Sequence, residues 1–457
     1  MGYIDVISLI FSIATILLTI IAVYMVFFFV VGIFKCKKYP KAKEQKKYGI
    51  IIPARNEESV VAGLIESVYK NKYPQDKLQI FVIAHNCTDK TAKIARDLGA
   101  TVYEYNNPKE CTMGYAFRYL FDCINRDYGN DFFDGFFLFN ADNILKEDYF
   151  EKMNDAFCYY NGERIITSYR NSKNFSSNIM SACYGLLFIS NCRFESRGRT
   201  VCNCSTRVQG TGYVISNKLV KDGWKYVTLT EDWEFSADQV LNNNKIMYCD
   251  EAEFFDEQPT SLRVMWRQRV RWAKGHLLVF KSRFALLFKQ LFKRNKKGEE
   301  KIHKFSIYDI MINISPIRLI GFVLTLIQAI CISILPLFYN NYGLEWLSMT
   351  VSFVVMLTIR YIVGVAYAGL IFGLEKKRIK CNNPFKKIVA ALVWPIFDWF
   401  NLPITITALF SRNLKWKTIP HKDTTSFDDL NGEDKQIKKE SVVIANRLND
   451  EEVKISQ

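Results

Sequence analysis

Apolar positions follow two kinds of pattern along the chain. From Ile4 to Phe34 they are continuous, with no charge after Asp5. A helix needs about 20 apolar residues to cross a bilayer core, so this stretch is long enough to span with tilt. It is too long for the apolar region of a cleavable leader, and no small-residue cleavage site precedes the lysines that follow. It reads as a retained anchor over 1–34. Three more continuous stretches, Ile307 to Phe338, Leu347 to Phe372 and Phe385 to Phe410, make 305–411 a membrane region. Between them, over 45–275, apolar and polar residues mix as in a soluble domain.

Inside that domain the pattern alternates. Tyr48 to Ile52, Gln79 to Ala84, Thr101 to Tyr105 and Gly135 to Phe139 are short apolar runs, read as buried strands. Glu57 to Lys70 places Val60, Val61, Leu64, Ile65 and Val68 at helical spacing. A second helix follows with Thr88 as its cap and Gly99 at its end. Strands alternating with helices predict an α/β fold, a mainly parallel sheet with helices on both faces. Ligands in such sheets bind at the carboxyl ends of the strands, so the loops after Ile52, Ala84 and Phe139 are where chemistry is expected. Beyond the domain, Phe280, Phe284, Leu287 and Leu291 share one face of His276 to Arg294, ringed by Lys281, Lys289, Lys293 and Arg294. That is the pattern of an interfacial amphipathic helix, extending as a linker over 276–304. After Pro420 the chain is polar and poor in aromatics, and 412–457 is expected to be a disordered tail.

The net charge of +15 raises nucleic acid as a partner, but its placement does not support one. Lys35, Lys37, Lys38, Lys41, Lys43, Lys46 and Lys47 directly follow the first span, while Met1 to Asp5 has no Lys or Arg. Such a collar marks the cytoplasmic end of a span, which predicts a multi-pass protein of the cell membrane with 45–304 in the cytosol. Most of the 12 cysteines then lie in a reducing compartment. Cys202-x-Cys204 lacks the second pair that a zinc site needs. The last apolar stretch is basic on both flanks and contains Pro395, Asp398 and Pro403. A charge in mid-membrane costs roughly 2.5–3.5 kcal/mol. This stretch is therefore expected to dip into the membrane and return, leaving the tail on the cytosolic side.

Three groups of residues carry candidate chemistry. Asn140-Ala141-Asp142-Asn143 ends the fourth strand, where oxygen ligands can hold Mg²⁺ or Mn²⁺ against a diphosphate. Glu231, Asp232 and Glu234 follow Thr230, and a carboxylate among like charges has its pKa raised, as suits a general base. Arg271, in Gln268-Arg269-Val270-Arg271-Trp272, can neutralise a leaving diphosphate, and Trp272 offers a face to a sugar. Taken singly, a helix cap, an acidic helix start and a surface helix with a buried Trp explain them equally well.

The order and spacing of the set resemble the processive membrane members of glycosyltransferase family 2, the cellulose, chitin and hyaluronan synthases. The matching pieces are Pro53-Ala54-Arg55-Asn56-Glu57, Asn86-Cys87-Thr88-Asp89, Asn140-Ala141-Asp142-Asn143, Gly210-Thr211-Gly212, Thr230-Glu231-Asp232, Gln268-x-x-Arg271-Trp272 and Trp416-x-x-Ile419-x-His421. The resemblance implies a GT-A-type domain and inverting transfer from a UDP-sugar to a growing polysaccharide. Pro53, Ala54, Arg55, Asn56, Glu57, His85, Asn86 and Asp89 would bind the nucleoside, and Asn140 and Asp142 the metal and diphosphate. Asp232 would be the catalytic base, with Glu231, Gln268, Arg271 and Trp272 serving acceptor and diphosphate. The chain departs from the family where relatives usually have Asp at position 85, Lys at 113 and Asp at 140; here stand His85, Met113 and Asn140. Two other readings stay open: transfer of one or a few sugars to a lipid or short acceptor, and a non-catalytic subunit of a synthase complex.

Overall fold

The structure, a computed structural model, describes residues 3–294, 301–317, 319–324, 327, 343–412 and 421–431. Strands β1 (Tyr48–Ala54), β2 (Leu78–His85), β3 (Thr101–Tyr105) and β4 (Gly135–Leu138) are the four expected ones. They pair in parallel, with β1 between β2 and β4. Alternation along β1 explains how both faces are covered. Ile50 and Ile52 join a core with Leu64, Ile65 and Val68 of α2 (Val61–Tyr69). Ile51, pointing the other way, joins Phe117, Leu120 and Phe121 of α4 (Met113–Tyr128). Between these helices, α3 (Thr91–Asp97) starts two residues later than expected, and Asp89 rather than Thr88 accepts from Thr91 N at 3.0 Å.

The sheet continues beyond the strands expected from periodicity. Strands β5 (Ile144–Leu145), β6 (Ile165–Ser172), β7 (Tyr213–Ser216) and β8 (Ile246–Asp256) complete the order β3-β2-β1-β4-β7-β6-β8-β5. β7 runs antiparallel to β4 and β6, and β5 antiparallel to β8, so the second half is mixed. Helix α5 (Tyr149–Tyr159) covers the β1 face.

The long apolar helix α1 (Tyr3–Phe34) is locked to this domain. Helix α6 (Ile179–Ser190), a π-helical turn (Asn191–Ser196) and α7 (Arg197–Val201) form one rod. A Cβ at Gly198 would collide with the Phe28 carbonyl, and one at Gly32 with that of Arg193. The glycines therefore set the close crossing of α1 and the rod. Helix α8 (Glu231–Leu241) leads by way of β8 to α9 (Leu262–Phe292), one unbroken helix of 31 residues. It joins the Gln268–Trp272 motif and the expected amphipathic segment in a single rod. Leu278, Leu286, Phe288 and Phe292 on α9 are exposed, whereas Val279 and Leu287 are buried.

The stretch expected to span from Ile307 begins differently. Helix α10 (Lys304–Ile314) buries Ile307, Ile310 and Ile314 against α8 and α9, and its Asp309 pairs with Arg199 at 2.7 Å. A buried carboxylate needs such a partner, and that draws this segment onto the domain. Most of the rest of Ile307 to Phe338 lies outside the described residues.

Among the described residues, three helices are long and apolar enough to cross a membrane: Ser12–Phe34, Val354–Leu374 and Pro384–Phe410. Just past the second, Glu375 accepts from Arg193 at 2.9 Å and from Tyr169 Oη at 3.1 Å. Arg378 reaches the Asp250 carboxylate at 3.1 Å. The third breaks at Phe400 into Pro384–Trp399 and Asn401–Phe410. Its break packs on α9, where Arg269 donates to Phe397 O at 3.1 Å and to Asn401 Oδ1 at 2.6 Å.

One expectation fails in the tail. Residues 421–431 are ordered against the sheet domain. Phe427 and Leu430 are buried with Ile144 and Phe255, and Asn431 accepts from Glu147 N at 3.0 Å. Two apolar side chains three apart on a short helical turn give this polar segment a face to bury. All cysteines among the described residues are free thiols.

Candidate functional site

The loops after β1 and β2 interlock. Asn56 and Asn86 both take positive φ, 58° and 53°, conformations that Asn tolerates better than most residues. Asn56 Oδ1 accepts from Thr88 N at 2.8 Å, and Glu57 N donates to Thr91 Oγ1 at 2.8 Å. Asp89 accepts from Glu58 N at 3.1 Å and from Thr91 Oγ1 at 2.6 Å. Its Oδ2 therefore ties the two loops together, while Oδ1 braces Thr91 within its own loop. This scaffolding was not anticipated for a residue expected to touch a ligand. Arg55 Nη1 lies 3.5 Å from Cys111 O, which brings the 107–111 segment to the same edge.

Asn140 and Asp142 stand between β4 and β5. Asn140 N is held by Thr211 Oγ1 at 2.9 Å, so the Gly210-Thr211-Gly212 turn sets this loop. Asp142 accepts from Glu257 N at 2.8 Å and from Asn143 Nδ2 at 3.2 Å. Asn140 Oδ1 is buried and has no hydrogen-bond donor among the described residues. A buried orphan oxygen beside a carboxylate is the kind of donor set a hard divalent cation satisfies, with the remaining positions left to phosphate and water. The residues present therefore fit such an ion.

His421 joins this corner from the far end of the chain. Its Nδ1 is 2.9 Å from Glu57 Oε2, and its carbonyl accepts from Ser59 Oγ at 2.9 Å. Burial opposes a charge on the imidazole, but Asp142, the bond to Glu57 and nearby Glu257 outweigh it and push the pKa up to about 9. Glu257 in turn accepts from Lys422 N at 3.0 Å and Asp423 N at 2.9 Å.

The second cluster lies at the start of α8. Glu231 is buried and Asp232 partly so. Burial raises the pKa of both; the neighbouring Asp232 charge adds to the rise at Glu231, while backbone N–H groups, Arg271 and Arg170 oppose it at Asp232. Arg271 Nη1 donates to Leu229 O at 3.1 Å. Burial works against its charge and the two carboxylates sustain it. Gly275, one turn along α9, lets the helix pass directly over Thr230. Gly210 adjoins Asp232 from the other side, with its Cβ direction 3.7 Å from Oδ2. Gln268 Oε1 accepts from Tyr184 Oη at 2.8 Å, leaving its amide N–H groups for other acceptors. Trp272 meets Tyr184 and Phe188 edge-on, both with centroids at 6.3 Å.

The residues expected to act together thus form two groups, Asn140 and Asp142 with the β1 and β2 loops, and Glu231 and Asp232 with α9. The Gly210–Gly212 turn touches both. Sequence reasoning missed Arg170. It pairs with Asp256 through Nε at 2.7 Å, lies 3.4 Å over the Phe188 ring and acts on Asp232. An arginine inside an otherwise uncharged strand was the available signal. Glu257 was missed as well, and no motif marks it.

Comparison with known proteins shows the family and the fold. The family model described as glycosyltransferase like family 2 matches residues 45–275. The chain is 23% identical over 395 residues to the "Probable glycosyltransferase YdaM" of Bacillus subtilis, covering 82% of this chain and 86% of that protein. It is 22% identical over 391 residues to the β-monoglucosyldiacylglycerol synthase of a Nostoc species, covering 82% and 76%. Its fold resembles that of the mannosyltransferase PcManGT from Pyrobaculum calidifontis, solved with GDP-Man and Mn²⁺. That match has a TM-score of 0.54 and 11% identity, over 86% of this chain and 99% of the other. With its family model covering half the chain, this protein belongs to glycosyltransferase family 2.

Proposed function

We propose that this glycosyltransferase moves a sugar, with inversion, from a UDP-linked donor to a hydroxyl of an acceptor at the membrane, a growing polysaccharide in the first reading. The observation that carries it is the Glu231–Asp232 pair, whose pKa values burial raises while Arg271 holds a positive charge beside it. Asp232 takes the proton of the acceptor hydroxyl as its oxygen bonds to the anomeric carbon. The bond to the diphosphate oxygen breaks on the opposite face. Gln268 and Trp272 orient the acceptor, and Arg271 balances charge at the diphosphate. The β1 and β2 loops hold the nucleoside. Asn140 and Asp142 would hold Mg²⁺ or Mn²⁺, which neutralises the leaving nucleoside diphosphate.

The second reading, one or a few sugars added to a lipid, is favoured by the acceptor-side wall. Arg269 and Trp266 of α9 meet the kinked Pro384–Phe410 helix at Phe397, Phe400 and Asn401, so the acceptor residues adjoin an apolar helix. The Nostoc relative is named for a diacylglycerol product. Sizing the product of a labelled donor separates the two: a polymer supports the first and a single glycolipid the second. A non-catalytic subunit is set aside, because the family is one of enzymes and Asp232 and Arg271 are both retained.

The two flanks of this kinked helix also bear on topology. Lys386 Nζ donates to Ser176 O at 2.8 Å at its start, and His421 sits on Glu57 after its end. Both flanks meet one domain, which supports a segment that dips and returns. With the domain in the cytosol, a lone cysteine introduced at exposed Asp428, in a chain stripped of reactive thiols, stays unlabelled by an impermeant reagent in intact cells and labels after permeabilisation. Ready labelling from outside contradicts this topology.

A further inference from the structure

One buried arginine joins the kinked membrane helix to the acceptor residues. Pro403 carries no N–H, and its ring crowds the Trp399 carbonyl one turn earlier. The helix accordingly stops at Trp399 and resumes at Asn401. Backbone carbonyls at such a kink need hydrogen-bond donors from a neighbouring helix. Here the group supplied is Arg269, on α9 and 4% exposed. Its Nη1 donates to Phe397 O at 3.1 Å and its Nη2 to Asn401 Oδ1 at 2.6 Å, so one guanidinium grips both sides of the kink. Asn401 is held in turn by Asp398, whose Oδ1 accepts from Nδ2 at 3.0 Å. The guanidinium also lies 4.3 Å over the Phe397 ring.

Phe397 carries this grip to the acceptor side. It is buried, and its ring meets Tyr184 edge-on with centroids at 5.3 Å. Tyr184 gives its hydroxyl hydrogen to Gln268 Oε1 and also meets Trp272. Contact therefore runs from the kink through Phe397 and Tyr184 to both side chains assigned to the acceptor. Arg269 stands two residues before Arg271, about 200° away around the helix. The same rod thus turns Arg271 towards Glu231 and Asp232 and Arg269 towards the membrane helix. A buried charge is costly unless it is well partnered, and apolar packing of two helices needs none.

We propose that Arg269 is a positioning residue for acceptor transfer: by fixing the kink of the Pro384–Phe410 helix it sets Phe397 and, through Tyr184, holds Gln268 and Trp272 in place for the acceptor. The proposal rests on the assignment of Gln268 and Trp272 to the acceptor. With the kink released, the nucleotide is still bound and Asp232 still takes a proton, but water replaces the acceptor hydroxyl. Its oxygen bonds to the anomeric carbon, the bond to the diphosphate oxygen breaks, and Asp232 takes the proton, so free sugar and nucleoside diphosphate leave. Arg269 therefore governs the partition between transfer and hydrolysis.

The test uses the full-length protein in nanodiscs of phosphatidylethanolamine and phosphatidylglycerol containing dioleoylglycerol, given radiolabelled UDP- and GDP-sugars with Mg²⁺ or Mn²⁺. Label in lipid-linked and polymeric product is counted against label released as free sugar. Misplacing a reacting group by about 1 Å costs up to ~10²-fold, so Arg269→Gln is expected to lower this ratio by about tenfold or more. UDP affinity, measured by calorimetry, stays within about threefold of the unaltered protein. Asn401→Ala lowers the same ratio, and adding it to Arg269→Gln lowers it little further, because the two residues act as a unit. Asn401→Ala also leaves the guanidinium its bond to Phe397 O, which keeps the test open where Arg269→Gln fails to fold. An unchanged ratio in both variants, whatever their melting temperatures, overturns the role of Arg269. So does a fall in UDP affinity as large as the fall in transfer. The acceptor assignment stands in either case if Trp272→Ala lowers the ratio, and falls as well if Trp272→Ala leaves it unchanged. Hydrolysis without transfer, or no release of sugar at all, by the unaltered protein overturns both together.

Discussion

Replacing Asp232 with asparagine lowers turnover by roughly 10²–10⁴-fold, the usual loss when a general base is removed, while nucleotide affinity stays close to that of the unaltered enzyme. Asparagine fills the same volume and cannot take the acceptor's proton. In the proposed mechanism the nucleotide is bound elsewhere, at the β1 and β2 loops, so its affinity is the internal control. The pH profile makes the prediction sharper. The base works only when ionised, and burial raises the Asp232 pKa. Activity is therefore lost as pH falls through a limb above ~3.9, the ordinary value for an aspartate. Asp232→Asn removes that limb. Near-normal turnover with the limb intact would pass the role to Glu231, the adjacent carboxylate that burial also raises.

Arg271→Met is expected to move the same limb to higher pH and to lower kcat by about 10²–10³-fold, as when one preorganised charge partner is removed from an active site. Arg271 is the positive group that opposes burial at both Glu231 and Asp232. Without it the two carboxylates hold their protons more tightly, and less base is available at neutral pH. Arg271→Lys separates charge from shape. A lysine keeps the positive charge, so the limb stays near its place. It lacks the planar fork that reaches Leu229 O, so kcat still drops. A merely structural Arg271 would change the melting temperature and leave the limb unmoved.

Where the fold obeys local patterning, the sequence was a good guide. Ile50, Ile51 and Ile52 are all buried, and the fact that neighbours face different cores follows from a strand period of two. Strands β6 and β8 escaped because their buried positions carry polar groups in β6, such as Thr167, Ser168 and Asn171, and charge in β8. β8 buries Asp250, Glu253 and Asp256, each answered from a distant segment: Asp250 by Arg197 and Arg378, Glu253 by Asn171, and Asp256 by Arg170. Periodicity detects apolar faces and cannot detect an ion pair closed by the fold. The same limit explains His421. Its motif was legible, but its partner Glu57 lies 364 residues earlier, and the segment around it looked too polar to pack. Ile307 to Ile314 looked like the start of a span because composition does not distinguish lipid from the flank of α9. Asp89 and Asn56 were recognisable as functional-loop residues, yet their oxygens are largely spent on joining the two loops. The Glu231–Asp232 pair, the α9 motif and the Asn140–Asp142 loop were legible as candidates because each sits at an element boundary, where short motifs keep their spacing.

The central claim is that this chain transfers sugar from a nucleotide donor to an acceptor at the membrane. It is tested most directly with the full-length protein in lipid nanodiscs, given radiolabelled UDP- and GDP-sugars with Mg²⁺ or Mn²⁺, followed by separation of free sugar from lipid-linked and polymeric product. The account predicts label in a lipid-linked or polymeric product, dependent on the divalent cation and lost in Asp232→Asn. Label found only as intact donor or free sugar with every donor, or transfer that persists unchanged in Asp232→Asn, would contradict it.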